Sequence, residues 1–145
     1  MNKNFVKINI INGKSFLNVC DLLHDGHCDL STIEYNKNAG TLKVIFEREF
    51  FEDPKLITFE PRLLFFRKAI FPIVESELSL AGIKTYKIED KSGIQIYSFN
   101  ECQIKNKIYE LVFNEGVSII LTFDDFPKGN LIDNKFLNKK GNILV

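Results

Sequence analysis

Short stretches in which apolar and polar residues alternate, separated by glycines, are the feature that most limits how this chain can fold. Successive side chains of a β-strand point to opposite faces, so alternation with a period of two is typical of strands with one buried face. The eight glycines mostly fall 11 to 14 residues apart, close to the length of one strand and one turn. The sequence therefore predicts a fold that is mainly β, or α+β, with antiparallel strands.

The composition supports the same fold class. Isoleucine (18 residues) and phenylalanine (14) are abundant, whereas alanine occurs only three times, which favours strands over helices. Strands are predicted over residues 5–11, 28–35, 41–50, 83–88, 93–99, 107–113 and 117–123, with hairpin turns at 12–13 and 114–116. Sequential strands joined by tight turns favour a meander that curls into a sandwich or a partial barrel. The predicted core contains Phe16, Val44, Phe46, Leu111, Phe113, Ile119, Leu121 and Phe123.

Three segments depart from simple alternation. Residues 15–23 have apolar side chains at helical spacing, so they predict one short helix, capped by Ser15 and ended by Gly26 in a left-handed conformation. Residues 63–71, between two prolines, are apolar on both parities, and we favour a strand over a helix there. Residues 128–145 are either a short amphipathic helix or a flexible arm at the end of a single domain, 1–145.

Charge and cysteine content exclude several classes of protein. The 19 basic and 19 acidic residues balance to zero, which argues against a nucleic-acid partner. No apolar stretch approaches the length of a membrane helix, and the N-terminus lacks the apolar run of a signal peptide, so we expect no membrane association. Three cysteines do not make a disulfide framework, which indicates reduced thiols and a cytoplasmic location.

The densest group of metal-ligating residue types is formed by Cys20, His24, His27 and Cys28. Zinc prefers four such ligands in a tetrahedron, but structural sites usually draw ligand pairs from two separated segments. His27 and Cys28 are adjacent and would point to opposite faces of a strand. We therefore expect no cofactor, with zinc at these four residues as the alternative. The pairing of Cys20 with His24, or of Cys102 with either histidine, as nucleophile and base lacks any local signature.

Carboxylates supply the other candidates. Asp124 and Asp125 follow the strand at 117–123, where they could bind a cation or simply form a turn before Pro127. Together with His24, Asp25 and His27, they are the candidate binding residues. An acidic patch or edge protection is predicted for Glu47, Glu49, Glu52 and Asp53.

Four consecutive segments resemble part of known proteins. They are Asp21-Leu-Leu-His-Asp-Gly26, an alternating segment at 28–35, a turn, and Thr41-Leu-Lys-Val-Ile-Phe46. They resemble the opening of small stand-alone bacterial domains of unknown function, some of which are similar to immunity proteins of bacterial toxin systems. The resemblance covers residues 20–50. It implies a β-rich fold and a protein-binding role, and it carries no catalytic residue.

The sequence thus favours a non-enzymatic protein-interaction module of a bacterial cytoplasm. This role is supported by the small size of the chain and by the lack of catalytic motifs. It is also supported by apolar residues at both odd and even positions of several strands, so that both strand faces are apolar. Apolar side chains on the strand face opposite the predicted core need to be covered, and a zero net charge does little to keep chains apart. Both features also predict a homodimer. The alternative is a metal- or small-molecule-binding domain at the turn that carries His24 and His27.

Overall fold

The computed structural model of the chain describes residues 3–62 and 66–144. Its main elements are β1 (Lys7–Ile10), α1 (Gly13–Leu23), β2 (His27–Asp29), β3 (Glu34–Asn36), β4 (Thr41–Glu49), β5 (Thr58–Arg62), β6 (Phe66–Glu89), β7 (Ile96–Lys105), β8 (Ile108–Phe113) and β9 (Ser118–Leu144). Three 3-10 helices, Leu30–Thr32, Pro54–Leu56 and Asn114–Gly116, connect strands. The predicted class, mainly β with one short helix, is confirmed.

The antiparallel sheet closes part of itself into a ring. Its strand order is β1-β9-β8-β7-β2-β4-β6-β5, and β6 additionally pairs with β9. Six strands, β9, β8, β7, β2, β4 and β6, are therefore linked in a closed cycle, as in the predicted partial barrel. The order departs from a simple meander because β7 pairs with β2 and not with β6, its neighbour in sequence.

The inside of this ring holds one aromatic and aliphatic core. Phe46 on β4 lies 5.9 Å from Phe99 on β7 and 6.4 Å from Phe113 on β8, measured between ring centroids. The apolar stripe of α1 packs against the same cluster, which includes Phe16 at 0% exposure. All eight residues predicted for the core are buried. Each such side chain contributes about 1.5–3 kcal/mol of transfer free energy.

A charged network is buried where β4, β6 and β9 meet. Arg48 and Asp133 are 3% and 1% exposed, and the guanidinium donates from Nη2 to Asp133 Oδ2 over 2.7 Å. Arg48 also donates to Ser76 Oγ and to Glu52 Oε1. Asp133 accepts further hydrogen bonds from Ser76 Oγ and from the amide of Val6. Buried charges are tolerated when they are paired and hydrogen-bonded in this way.

The first turn is a helix cap and not the predicted hairpin. The Asn12 side chain accepts a hydrogen bond from the Ser15 amide, while Ser15 Oγ accepts one from the Asn12 amide. This reciprocal capping box starts α1 at Gly13, two residues before the predicted boundary. The prediction of a turn at 12–13 was wrong because asparagine is as good an N-cap as it is a turn residue.

The end of α1 also differs from the prediction. Asp25, and not Gly26, takes the left-handed conformation, with φ of 66°. Gly26 is instead a buried position where an added Cβ would lie 2.9 Å from the carbonyl oxygen of Leu23. The glycine is therefore required by close backbone approach and not by a positive φ.

The strand predicted over 28–35 is broken in two. Asp29 ends β2, and its side chain accepts a hydrogen bond from the Ser31 amide, which starts the 3-10 helix Leu30–Thr32 before β3. This local side-chain cap competes with strand pairing.

Two other segments are strands. Residues 58–62 and 66–70 pair as β5 and the start of β6, which continues through Phe71, while residues 63–65 of the favoured strand lie outside the described residues. Residues 128–144 continue β9 and pair with β6, so neither an amphipathic helix nor a free arm is found over that range.

Candidate functional site

Three adjoining clefts form a groove along the outer face of β4, which we call the outer groove. The inward parity of β4 is buried, whereas Ile45, Glu47 and Glu49 point to the opposite side. Successive clefts share wall residues, so that they follow one another along the strand. From Phe51 to Ile45 the groove covers six residue steps, or about 20 Å at 3.3 Å per residue.

The first cleft lies between the end of α1 and the end of β4. Its walls include His24, Asp25, Glu49 and Phe51, and its volume is about 330 Å³. His24 Nδ1 donates to the carbonyl oxygen of Asn100, and its Nε2 lies 3.5 Å from Asp25 Oδ1. With Asp21, which also lines it, this cleft joins a hydrogen-bonded imidazole, three carboxylates and an exposed aromatic ring.

The second cleft is the centre of the groove. It has a volume of about 240 Å³ and is lined by Asp25, Glu49 and His27, together with Glu47 and Lys139. The ammonium of Lys139, near the end of β9, forms an ion pair with Glu47. Residues from β2, β4 and β9 thus meet here, because the end of β9 pairs with β6, which also pairs with β4.

The third cleft continues from His27 and Glu47 towards β7. Its volume is about 270 Å³, and its walls add Asp29, Glu75 and Ile96. Ile96 is 56% exposed, so this end of the groove presents an apolar side chain to solvent. Phe51, at the other end, is 48% exposed and lies 4.5 Å from the Phe71 ring.

The groove is strongly acidic although the whole chain is neutral. Its walls carry six carboxylates, of Asp21, Asp25, Asp29, Glu47, Glu49 and Glu75, against the ammonium groups of Lys139 and Lys140. Arg48 also touches the first cleft, but its charge is already paired with Asp133 and Glu52. An excess of carboxylates on one concave face attracts cationic groups.

Among the half-buried carboxylates of the groove, Glu49 is the one without a partner in the described residues, since Glu47, Asp29 and Glu75 each have one. It is half-buried between the first and second clefts, and within the described residues its side chain has no hydrogen bond or ion pair. Burial, and then the nearby Asp25, raise the pKa of Glu49, while His27 opposes the shift. A cation entering the groove would relieve this unfavourable charge.

The four predicted zinc ligands are not brought together. Cys20 and Cys28 are buried in the core, whereas His24 and His27 are exposed on the groove side. Burial, and then the nearby Asp29 carboxylate, raise the pKa of the Cys28 thiol to about 12. Over residues 3–62 and 66–144, no group of three potential ligand side chains converges. Zinc binding stays a prediction, which elemental analysis of the purified protein tests.

The candidate binding residues fall in two places. His24, Asp25 and His27 line the outer groove. Asp124 and Asp125 are exposed on β9, in a stretch between Phe123 and Lys128 that bulges out opposite Gly82. They line none of the three clefts of the groove.

The four residues of the predicted acidic patch do not lie on one surface, because two are on the outer face of β4 and two are in the turn after it. Glu47 and Glu49 line the groove, Glu52 binds Arg48, and Asp53 accepts a hydrogen bond from the Lys55 amide. At Glu47, β4 pairs with β2 on one side and with β6 on the other, so edge protection is the wrong interpretation for that residue. The sequence analysis missed Phe51, Glu75, Ile96 and Lys139, for which no local signal exists.

Comparison of this chain with protein-family models, with curated proteins and with solved structures finds no match. In the part of the chain that the structure describes, no helix has the length and apolar character needed to span a bilayer.

Proposed function

We propose that this chain is a protein-interaction module that binds another protein along the outer groove. The observation that carries the proposal is the placement of an exposed apolar side chain, Phe51 or Ile96, at each end of a continuous polar groove. Protein interfaces combine apolar anchors with polar contacts in this way. The resemblance of residues 20–50 to toxin-immunity proteins implies the same kind of role.

The anchor at Phe51 is well suited to binding. Its ring packs against Phe71 in an edge-on arrangement, which restrains it while almost half of its surface remains open. A restrained aromatic side chain loses little conformational entropy when a partner covers it. At the centre of the groove, Glu47 is paired with His27 of β2 on one side and Glu75 of β6 on the other, so side chains supply the contacts there.

Matched variants test this proposal. The immobilised protein is exposed to a lysate of its source organism, and captured proteins are identified by mass spectrometry. Phe51→Ala and Ile96→Ala remove the two anchors. Phe126→Ala and Ile104→Ala are the controls, because those side chains have similar exposure (47% and 43%) and line none of the three clefts.

We expect the wild type and both control variants to capture the same protein, and both groove variants to lose it. Retention of that protein by the groove variants, or capture of nothing by the wild type, would contradict the proposal. Sedimentation of the purified chain tests the predicted homodimer, in which a second copy would occupy the groove. A dimer that persists in Phe51→Ala and Ile96→Ala would place self-association elsewhere.

A further inference from the structure

We propose that the segment bound in the outer groove is extended, about seven residues long, and cationic, with an arginine or lysine side chain beside Glu49 and apolar side chains on Phe51 and Ile96. This inference rests on the proposed function and specifies the chemistry of the partner. The groove favours such a segment by its length, its spacing and its charge.

The spacing of the groove matches that of an extended chain. Phe51, Glu49, Glu47 and Ile45 occupy successive outward positions, so neighbouring side chains in this row are about 7 Å apart. Alternate side chains of an extended segment have the same separation. A segment lying parallel or antiparallel to β4 can therefore place one side chain in each position of the row, and the side chain over Ile45 reaches the third cleft, which Ile96 also lines.

The charge of the groove selects cationic side chains for the middle of the segment. The Glu47 carboxylate already has the Lys139 ammonium as its partner, and Glu75 accepts a hydrogen bond from Asn134. Glu49 has neither kind of partner in the described part of the chain, and it lies between the two clefts that also contain Asp25. An incoming guanidinium or ammonium would pair with Glu49 without displacing an existing partner.

A charge-assisted contact in a partly buried groove is strong enough to measure. Hydrogen bonds to charged groups contribute enough that removal of one charge is expected to weaken binding about tenfold. The contact also depends on pH in a defined direction. Binding strengthens as pH rises through the raised pKa of Glu49, because the ionised carboxylate is the form that binds a cation. The other titratable or charged groups that line the two clefts around Glu49 are Asp21, His24, Asp25, His27, Glu47, Arg48, Lys139 and Lys140.

The probe is an acetylated and amidated peptide, Phe-Ser-Arg-Ser-Arg-Ser-Leu, whose alternate side chains match the row. A second peptide replaces both arginines with glutamates. Binding to the full chain is followed by NMR titration, with Glu49→Gln as the test variant. Glu60→Gln is the control, because Glu60 is an exposed carboxylate on β5 that lines none of the three clefts.

We expect the arginine peptide to shift the amide signals of β4 and of His27. Its affinity should fall about tenfold in Glu49→Gln and stay unchanged in Glu60→Gln. The glutamate peptide should not bind. Equal affinity for the two peptides, equal effects of the two substitutions, or shifts confined to another face would overturn the inference.

The two proposals fail in different ways. If lysate capture depends on Phe51 and Ile96 but the captured protein presents an acidic or uncharged segment to the groove, the protein-binding role stands and the cationic segment is wrong. If the arginine peptide binds at Glu49 but no protein is captured, the groove is a cation-selective site and the proposed function is wrong.

Discussion

The buried pair of Arg48 and Asp133 allows a quantitative test of the packing between β4 and β9. The Arg48 side chain is 2% exposed and that of Asp133 is 0% exposed, and their charged groups are 2.7 Å apart. Asp133→Asn keeps the shape of the side chain but removes its charge. Loss of one partner of a buried ion pair costs about 3–5 kcal/mol, because the other charge stays buried without compensation.

The structure favours the lower end of that range. After Asp133→Asn, the guanidinium keeps its 2.7 Å contact with Glu52, whose side chain is 23% exposed. After Arg48→Met, the Asp133 carboxylate keeps its hydrogen bonds from Ser76 Oγ and the Val6 amide. We therefore expect each single substitution to lower the free energy of unfolding by about 3 kcal/mol.

The double variant separates burial of charge from loss of a contact. With Arg48→Met and Asp133→Asn together, neither buried charge of the pair remains. We therefore expect the free energy of unfolding to fall by less than about 3 kcal/mol, which is less than the sum of the two single effects. Urea unfolding followed by circular dichroism measures all three variants, since the chain has no tryptophan. Lys87→Met breaks the exposed pair with Glu89 and should cost no more than about 1 kcal/mol. Additive single effects, or single effects as small as this control, would refute the reasoning.

Four other substitutions test local features by thermal or urea unfolding. Gly26→Ala should lower the free energy of unfolding by about 1 kcal/mol or more, because the new methyl would meet the Leu23 carbonyl. Asp25→Gly should raise it by up to about 1 kcal/mol, because glycine adopts the positive φ of this position without strain. Phe113→Ala should lower the free energy of unfolding by about 3–5 kcal/mol, since the ring is buried against Phe46 on β4 and Phe99 on β7. The pKa of Glu49 in the folded protein is raised above 4.5, so folding favours the protonated carboxyl, and stability should fall as pH rises through that raised pKa. Glu49→Gln should abolish this fall, which thermal melts from acid to neutral pH would measure.

Local alternation predicted the strands but not how they pair. The strand at 41–50 and the hairpin around 114–116 were predictable, because a period of two and a glycine turn are both contained in a short window. The pairing of β6 with β9 joins residues far apart in sequence, and no property of either strand alone encodes it. Parity could also have located the buried arginine, since Arg48 shares the inward face of β4 with Phe46.

The outer groove shows the same limit at the level of function. Asp25 and His27 are close in sequence, and the spacing of Glu47 and Glu49 places them on one face of β4, so local analysis could find each pair separately. The two pairs become one site only because β2 is held beside β4 at the register His27 to Glu47. Lys139 joins them through the ring closure at the end of β9. Leu131 is buried on β9 opposite Leu78 of β6 and lines none of the three clefts. Therefore Leu131→Ala, which weakens this closure without touching the groove, should also lower the affinity for the arginine peptide when binding is measured where the variant is still folded.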